Sequence, residues 1–320
     1  MIKSNFPYIL LISLAAFCSS ILNSYQKFAV PAFTPALLNI SLIGSSFLIA
    51  PHLRTPELAL AWGVLIAGFA QLFFQIPFLR RIDLLPRPKL SSSHEGLIRI
   101  KELMVPALFG VSVTQINLLF DTFIASLLIT GSVSWLYFSD RLMELPLGIF
   151  GVAIAVVILP ALSRKHAESS TKEFSETLDW ALRLVCLIAI PSTIGLTLLS
   201  EPLLATLFQN ENFAANDVIS AAGSLRAYAF GLLAFMSIKV FSPGYFSRQD
   251  TRTPVRIGII AMVLNMVMNV VFYLSGMAHV GLALATTIAA FVNAGLLFFG
   301  LIKERVFSFQ SGWFRYSIQL

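Results

Sequence analysis

One polar run stands out in an otherwise apolar sequence: Ser139-Asp140-Arg141-Leu142-Met143-Glu144. Arg141 and Glu144 are three residues apart, so a helix places them on one face, where they can pair. Ionisable side chains within membrane spans are costly and usually face a cavity or a charged partner. A guanidinium at that depth can hold a phosphate through two parallel hydrogen bonds. Asp140, Arg141 and Glu144 are therefore candidate binding residues; the alternative is an interfacial pair that only sets the height of the helix.

Arg226 is a second candidate cation, about two turns inside the outer end of its predicted span. It would either add positive charge to the pocket of Arg141 or extend its long side chain to the membrane surface. The sequence does not choose between these two interpretations.

A second polar set consists of Asp121, Asn265, Asn269 and Thr286, each within an apolar stretch. Asn265 and Asn269 are one helical turn apart, so they share a face. Oxygen atoms converging on one carboxylate can hold a monovalent cation, Na⁺ for example, or a proton. Hydrogen bonding between helices is the alternative interpretation.

The sequence contains none of the common catalytic motifs. It has no Gly-rich phosphate loop, no Gly-x-Ser-x-Gly run and no His-Glu-x-x-His run. Cys18 and Cys186 both lie in apolar runs, which indicates neither a disulfide frame nor a metal cluster. We therefore expect transport, not an enzyme, and no cofactor beyond Na⁺ or the membrane potential as a driving force.

The elements that position these residues are predicted to be membrane-spanning helices. The chain is 57% hydrophobic and only 12% charged, against about 25% charged residues in soluble domains. Apolar runs of roughly 20 residues, each long enough to cross the hydrocarbon layer, recur along it. The predicted fold class is an all-α polytopic membrane protein, a helical transporter bundle with nine transmembrane helices. These spans are residues 6–23, 32–50, 58–79, 103–129, 134–162, 178–200, 219–242, 255–274 and 280–301.

The charges of the loops predict the orientation of the chain. Loops on one side carry most of the Lys and Arg residues, whereas the other side has only Lys3 and Arg54. Since basic loops stay in the cytoplasm, the N-terminus is predicted to be outside and the C-terminus cytoplasmic. An exported N-terminus usually follows an earlier helix, so we expect an odd number of helices upstream of Met1. The positive charge belongs to these loops and does not indicate nucleic-acid binding.

Polar stretches suggest how the chain is divided. Residues 1–81 form the remainder of an N-terminal lobe with three helices, and residues 82–102 a cytoplasmic linker with an interfacial helix. Residues 103–301 form a six-helix C-terminal lobe, and residues 302–320 are a truncated cytoplasmic tail. The stretch from Ser132 to Arg164 is longer than one crossing needs, and Pro146 with Gly148 and Gly151 predicts a bend in it.

The chain resembles the MurJ (MviN) lipid II flippases over nearly its whole length, and three runs carry the resemblance. They are Ser139-Asp140-Arg141-Leu142-Met143-Glu144-Leu145-Pro146-Leu147-Gly148, Leu159-Pro160-Ala161-Leu162-Ser163, and Tyr245-Phe246-Ser247-Arg248-Gln249-Asp250-Thr251-Arg252-Thr253-Pro254. The openings Phe6-Pro7-Tyr8 and Pro31-Ala32-Phe33 are also similar to that family. The resemblance implies two six-helix lobes, related to multidrug and oligosaccharide-lipid exporters, followed by two further helices.

On that pattern the chain matches the fourth through twelfth helices and lacks the first three and the last two. The resemblance implies translocation of the undecaprenyl-diphosphate-linked peptidoglycan precursor from the inner to the outer leaflet by alternating access. It places Arg141 and Glu144 in a cationic central cavity. Some members bind Na⁺ with residues like the second set, although Asn269 stands here in place of a carboxylate. The resemblance also implies that further essential residues, several arginines and an aspartate, lie on the first two helices of the family, which precede the part that this chain matches.

The expected location is the bacterial inner membrane, as a multi-pass protein. Expected partners are the lipid-linked precursor, membrane lipids and cell-wall synthesis proteins. Three alternatives stay open: an exporter of drugs or another polysaccharide lipid, a membrane-embedded glycosyltransferase, and a scaffold that transports nothing.

Overall fold

The computed structural model describes residues 2–25, 27–53, 55–84, 115–313 and 316. Nearly all of these residues are helical, which confirms the predicted fold class. Seven helices are long and apolar enough to cross a membrane within the described ranges. The chain forms two compact units, Met1–His94 and Glu95–Leu320. The predicted linker at 82–102 lies largely outside the described residues, so the domain boundaries, the count of nine spans and the orientation stay predictions.

The first unit is a three-helix arrangement of α1 (Ile2–Ser24), α2 (Ala29–Leu48) and α3 (Glu57–Arg80). Helix α3 packs against both of the others. Its Gln75 is buried and accepts a hydrogen bond from Ser19 of α1 at 3.0 Å. Its Gln71 donates to the Thr34 carbonyl of α2 at 3.2 Å. Such bonds satisfy polar side chains that would otherwise be buried without partners.

The second unit is built around one long helix. Its elements are α4 (residues 115–126), α5 (Ser132–Pro146), α6 (Val152–Ala167), α7 (Thr171–Leu198), α8 (Ser200–Phe208), α9 (Ala215–Phe246), α10 (Arg252–Leu274) and α11 (Ala278–Lys303). Helix α9 contacts α5, α6, α7, α8, α10 and α11. Small residues such as Ala221 and Ala222 are fully buried on it, which lets neighbouring backbones approach closely.

Helices α5 and α6 are continuous through a π-helical segment, Leu147–Gly151. Pro146 precedes it directly and has no backbone N–H to donate to the preceding turn. Pro146, Gly148 and Gly151 predicted a bend here, and the structure contains a π-helical segment at this position. Such segments are frequent at functional sites.

The predicted loop at 201–218 is partly helical. Helix α8 covers Ser200–Phe208, and α9 begins at Ala215, four residues before the predicted span. Leu204 of α8 is fully buried in the core of the unit. This stretch lies between two predicted spans, but a short amphipathic helix needs only one apolar face to pack.

Candidate functional site

Arg141 and Glu144 form the predicted ion pair on α5. Arg141 Nη1 donates to Glu144 Oε2 at 2.7 Å, and both side chains are about half exposed, at 52% and 49%. The guanidinium carbon lies 4.9 Å from the centre of the Tyr137 ring, within the range of a cation–π contact. Arg141 is therefore oriented on two sides while remaining accessible to a ligand.

Helix α5 is tied firmly to its neighbours on the face opposite these charges. Ser139 is fully buried and donates to the Ala221 carbonyl of α9 at 2.7 Å. Trp135 Nε1 donates to Asp217 Oδ1 of α9 at 2.8 Å, and its ring meets the His279 ring of α11 edge-on at 4.7 Å. Because these contacts hold the backbone, the position of Arg141 is determined by packing and not by the ion pair alone.

The group around Arg141 carries more negative than positive formal charge. Asp140 and Glu144 each interact electrostatically with the one guanidinium. Asp140 also interacts with Asp121 of α4, so the two polar sets predicted from the sequence lie within electrostatic reach of each other. An anionic ligand at Arg141 would have to displace Glu144 or be accompanied by protons.

Arg226 is placed elsewhere. Its Nη2 donates to Glu201 Oε1 of α8 at 2.6 Å, and both side chains are nearly half exposed. The structure thus pairs Arg226 with Glu201 of α8, and its predicted role in substrate binding beside Arg141 stays a prediction.

The second predicted set does come together. Asn269 Nδ2 donates to Asp121 Oδ1 at 2.5 Å, which links α10 to α4. Asn265 and Thr286 are joined at 3.2 Å, which links α10 to α11. A fifth member is Asn117, one turn before Asp121, whose Nδ2 donates to Asp121 Oδ2 at 3.0 Å. The spacing of four residues could have identified Asn117 from the sequence.

The donor set fits a monovalent cation in part. Asp121 supplies one negative charge, Thr286 a hydroxyl, and Asn269 Oδ1 is buried without a hydrogen-bond partner among the described residues. However, amide nitrogens of Asn117 and Asn269 face the carboxylate, and turning the Asn265 amide places its nitrogen 3.0 Å from Asp121 Oδ1 as well. The arrangement is therefore an interhelical hydrogen-bond network, and these amides would have to turn their oxygens inward to hold a cation.

Asp179 and Arg183 are four residues apart in the sequence, a spacing that predicts an ion pair on one helix face. They form this pair on α7, at 2.8 Å, and also bind the segment after α11. Buried Asp179 accepts through Oδ1 from Trp313 Nε1 at 2.6 Å and from the Gln310 backbone at 3.2 Å. Arg183 Nη2 donates to the Ser311 carbonyl at 3.0 Å. Partial burial in this segment raises the pKa of Tyr316, whose hydroxyl donates to the Arg183 carbonyl. The sequence spacing predicted only the pair between Asp179 and Arg183, and not its contacts with the segment after α11.

The Arg-Gln-Asp-Thr-x-Thr-Pro run forms the turn between α9 and α10. Asp250 Oδ1 accepts from the backbone N–H groups of Arg252 and Thr253, both at 3.1 Å. Hydrogen bonds from Thr253 hold the pKa of Asp250 below its usual range. Arg248 forms an ion pair with Glu304 at the end of α11, at 2.7 Å. This run therefore joins the ends of three helices.

Apolar spanning helices with charged and amide side chains grouped inside the second unit define a polytopic α-helical membrane protein. The lipid II flippase MurJ family matches residues 1–319. The chain belongs to this family, and it is a multi-pass protein of the inner membrane.

Similar proteins agree with this assignment. The chain is 52% identical over 308 residues to a probable lipid II flippase MurJ of Vibrio cholerae, covering 96% of this chain and 58% of that protein. It is 49% identical to a Haemophilus influenzae protein of the same name, with 97% and 61% covered. A solved structure, lipid II flippase MurJ in an inward closed conformation, superposes with a TM-score of 0.77 at 28% identity, covering 94% of this chain and 63% of that one. The chain thus spans about three fifths of the length of these relatives.

Proposed function

We propose that this chain is part of a flippase that moves the undecaprenyl-diphosphate-linked peptidoglycan precursor from the inner to the outer leaflet by alternating access. Family membership and the names of the relatives support this function. The observation that carries the proposal is Arg141, a half-exposed guanidinium within a membrane span, oriented by Glu144 and Tyr137.

In the proposed cycle, Glu144 holds the guanidinium until the diphosphate oxygens replace its carboxylate. Asp140 keeps the local charge negative when no substrate is bound, which favours release of the anionic head group after translocation. No covalent step is involved, so the protein acts as a transporter. Lipid-linked precursor and membrane lipids are its proposed partners, together with cell-wall synthesis proteins.

A bound cation is a second part of the proposal. Its site is the second polar set together with Asn117, which we call the Asp121 cluster. Asp121, Asn265, Asn269 and Thr286 would hold Na⁺ through oxygen atoms, and the ion would supply positive charge beside the carboxylate. These residues would link α4, α10 and α11 more tightly when the cation is bound. Na⁺ and the membrane potential are the two proposed driving forces.

The test is an Arg141→Ala substitution in the whole protein, with Lys172→Ala as the control. Lys172 is an exposed cation on α7. Loss of a charge-assisted contact of roughly 1.5–3 kcal/mol should reduce precursor translocation about tenfold or more, and the control should retain it. Unchanged translocation in Arg141→Ala would show that Arg141 does not bind the head group. Running the assay with a drug, another polysaccharide lipid and a nucleotide-sugar donor tests the exporter and glycosyltransferase alternatives.

A further inference from the structure

The second unit contains a cavity that adjoins the Asp121 cluster and has mostly apolar walls. Its volume is about 520 Å³, and helices α9, α10 and α11 form most of its wall. Asn117, Asn265 and Thr286 lie at its inner end, where they also belong to the cluster. Apolar side chains, among them Phe235 and Met262, line the remainder.

Two polar side chains in this cavity have no hydrogen bond or ion pair to any residue that the structure describes. Lys239 of α9 is exposed, and no ion pair or hydrogen bond of its ammonium is found within the described ranges. Asn293 of α11 lines the same space and also has no hydrogen bond there. An ammonium and an amide without partners at this depth are costly. A ligand with negative charge and hydrogen-bond acceptors would satisfy both.

Lys239 lies about two turns before the end of α9. The predicted span ended at residue 242, but α9 continues to Phe246, seven residues past Lys239. At 1.5 Å per residue, the Cα of Lys239 is about 10 Å inside the helix end. The aliphatic part of the Lys239 side chain passes beside Gly151 of the π-segment. Its Cγ would lie 3.7 Å from a β-carbon added at Gly151. If the Lys239 ammonium only reached the membrane surface, polar side chains beside it would have no role. The amides in the same cavity therefore favour a bound ligand.

We propose that this cavity is a second anion site, which binds the phosphate of a lipid through Lys239 and Asn293. The positive charge of the Lys239 ammonium attracts the negative phosphate. The apolar walls accept the first carbons of the attached chains. The phosphate can come from an ordinary membrane phospholipid or from the diphosphate of the carrier lipid. This inference goes beyond the proposed function, because the site is separate from Arg141 and can exist whether or not Arg141 binds substrate.

Two glycines allow a matched steric test. Gly258 of α10 lines the cavity, and a β-carbon there would meet no atom within 4 Å, so Gly258→Leu should fill the space without disturbing the fold. Gly195 of α7 also faces open space and is not among the residues that line the cavity. Gly195→Leu is therefore the control for adding the same side chain.

The measurement is lipid binding to the purified whole protein by native mass spectrometry. The probes are dioleoylphosphatidylglycerol, undecaprenyl diphosphate and dioleoylglycerol, which lacks phosphate. Lys239→Met and Gly258→Leu should each weaken binding of at least one phosphate lipid about tenfold or more. Lys239→Arg and Gly195→Leu should bind like the wild type, and dioleoylglycerol binding should not change.

The two phosphate lipids distinguish the source of the ligand. Loss confined to phosphatidylglycerol assigns the site to a membrane phospholipid, and loss confined to undecaprenyl diphosphate assigns it to the carrier lipid. Wild-type affinity of Lys239→Met for both lipids overturns the proposal, as does a loss in Lys239→Met that Gly258→Leu does not share. Neither result depends on translocation, so a failed Arg141 test leaves this one intact.

Discussion

At the scale of single residues, the second unit uses one carboxylate, Asp121, as the centre of a polar network. Asn117 and Asn269 donate to its two oxygens at 3.0 and 2.5 Å. Interhelical hydrogen bonds in membranes contribute only about 0.6 kcal/mol on average. Stability alone is therefore a weak reason for so many polar atoms in one place, and a charge-dependent role is the better explanation.

Asn269→Asp should make the protein sensitive to Na⁺. The change places a second carboxylate in contact with Asp121, and two such groups cannot both ionise without a cation or a proton between them. We expect NaCl to raise the melting temperature of Asn269→Asp more than an equal concentration of choline chloride does. The wild type should show a smaller difference between the two salts.

The control combines Asn269→Asp with Thr286→Val, which removes an oxygen next to Asn265. This double variant should lose most of the response to Na⁺. Equal responses of the wild type and Asn269→Asp would mean that the amide at position 269 does not set the cation affinity.

At the scale of helices, close approach depends on a few glycines. A β-carbon on Gly68 of α3 would lie 2.9 Å from the Tyr8 ring and 3.0 Å from Leu11 of α1. Gly44 of α2 faces open space, where a β-carbon would meet nothing within 4 Å. The same residue type therefore has a packing role in α3 and none in α2.

Gly68→Ala should destabilise the first unit by about 1–3 kcal/mol through overpacking. Gly44→Ala should stabilise it by about 0.5–1 kcal/mol, because alanine loses less backbone entropy in a helix. Thermal unfolding of the two variants in the whole protein measures both effects. A stabilising Gly68→Ala would contradict the close contact between α1 and α3.

A second feature at the scale of helices is the segment after α11, which α7 holds through Asp179 and Arg183. Asp179→Asn should weaken a charge-assisted contact by roughly 1.5–3 kcal/mol, which corresponds to about tenfold to hundredfold faster opening. Backbone amides of residues 308–313 should then exchange hydrogen faster, as measured by mass spectrometry. Glu176→Gln, an exposed neighbour on the same helix, should leave their exchange unchanged. Equal exchange in both variants would show that the Asp179 carboxylate does not hold the segment.

At the scale of the whole molecule, moving the charge of Arg141 through the membrane field would couple transport to the membrane potential. One charge crossing 100 mV corresponds to about 2.3 kcal/mol, enough to change a rate by well over tenfold. Dissipating the potential with valinomycin and potassium should therefore slow precursor translocation in vesicles. The pH gradient is kept constant as the control, and an unchanged rate would show that Arg141 does not couple transport to the membrane potential.

The sequence was sufficient to predict what depends on local chemistry. Apolar runs of spanning length predicted the helices, because each residue in lipid must satisfy its backbone within its own segment. The cost of charge in a membrane singled out Arg141 and Asp121. Fixed helical spacing predicted the Arg141–Glu144 and Asp179–Arg183 pairs, both of which the structure contains.

Tertiary structure decided every contact between helices distant in the chain. Arg226 pairs with Glu201, Asp179 holds residues 310–313, and Lys239 shares a cavity with Asn293. None of these pairings follows from spacing, because the rotation of each helix about its axis is set by how its neighbours pack. The sequence by itself determined which residues had to find polar surroundings, and only the packing of the helices decided which surroundings they found.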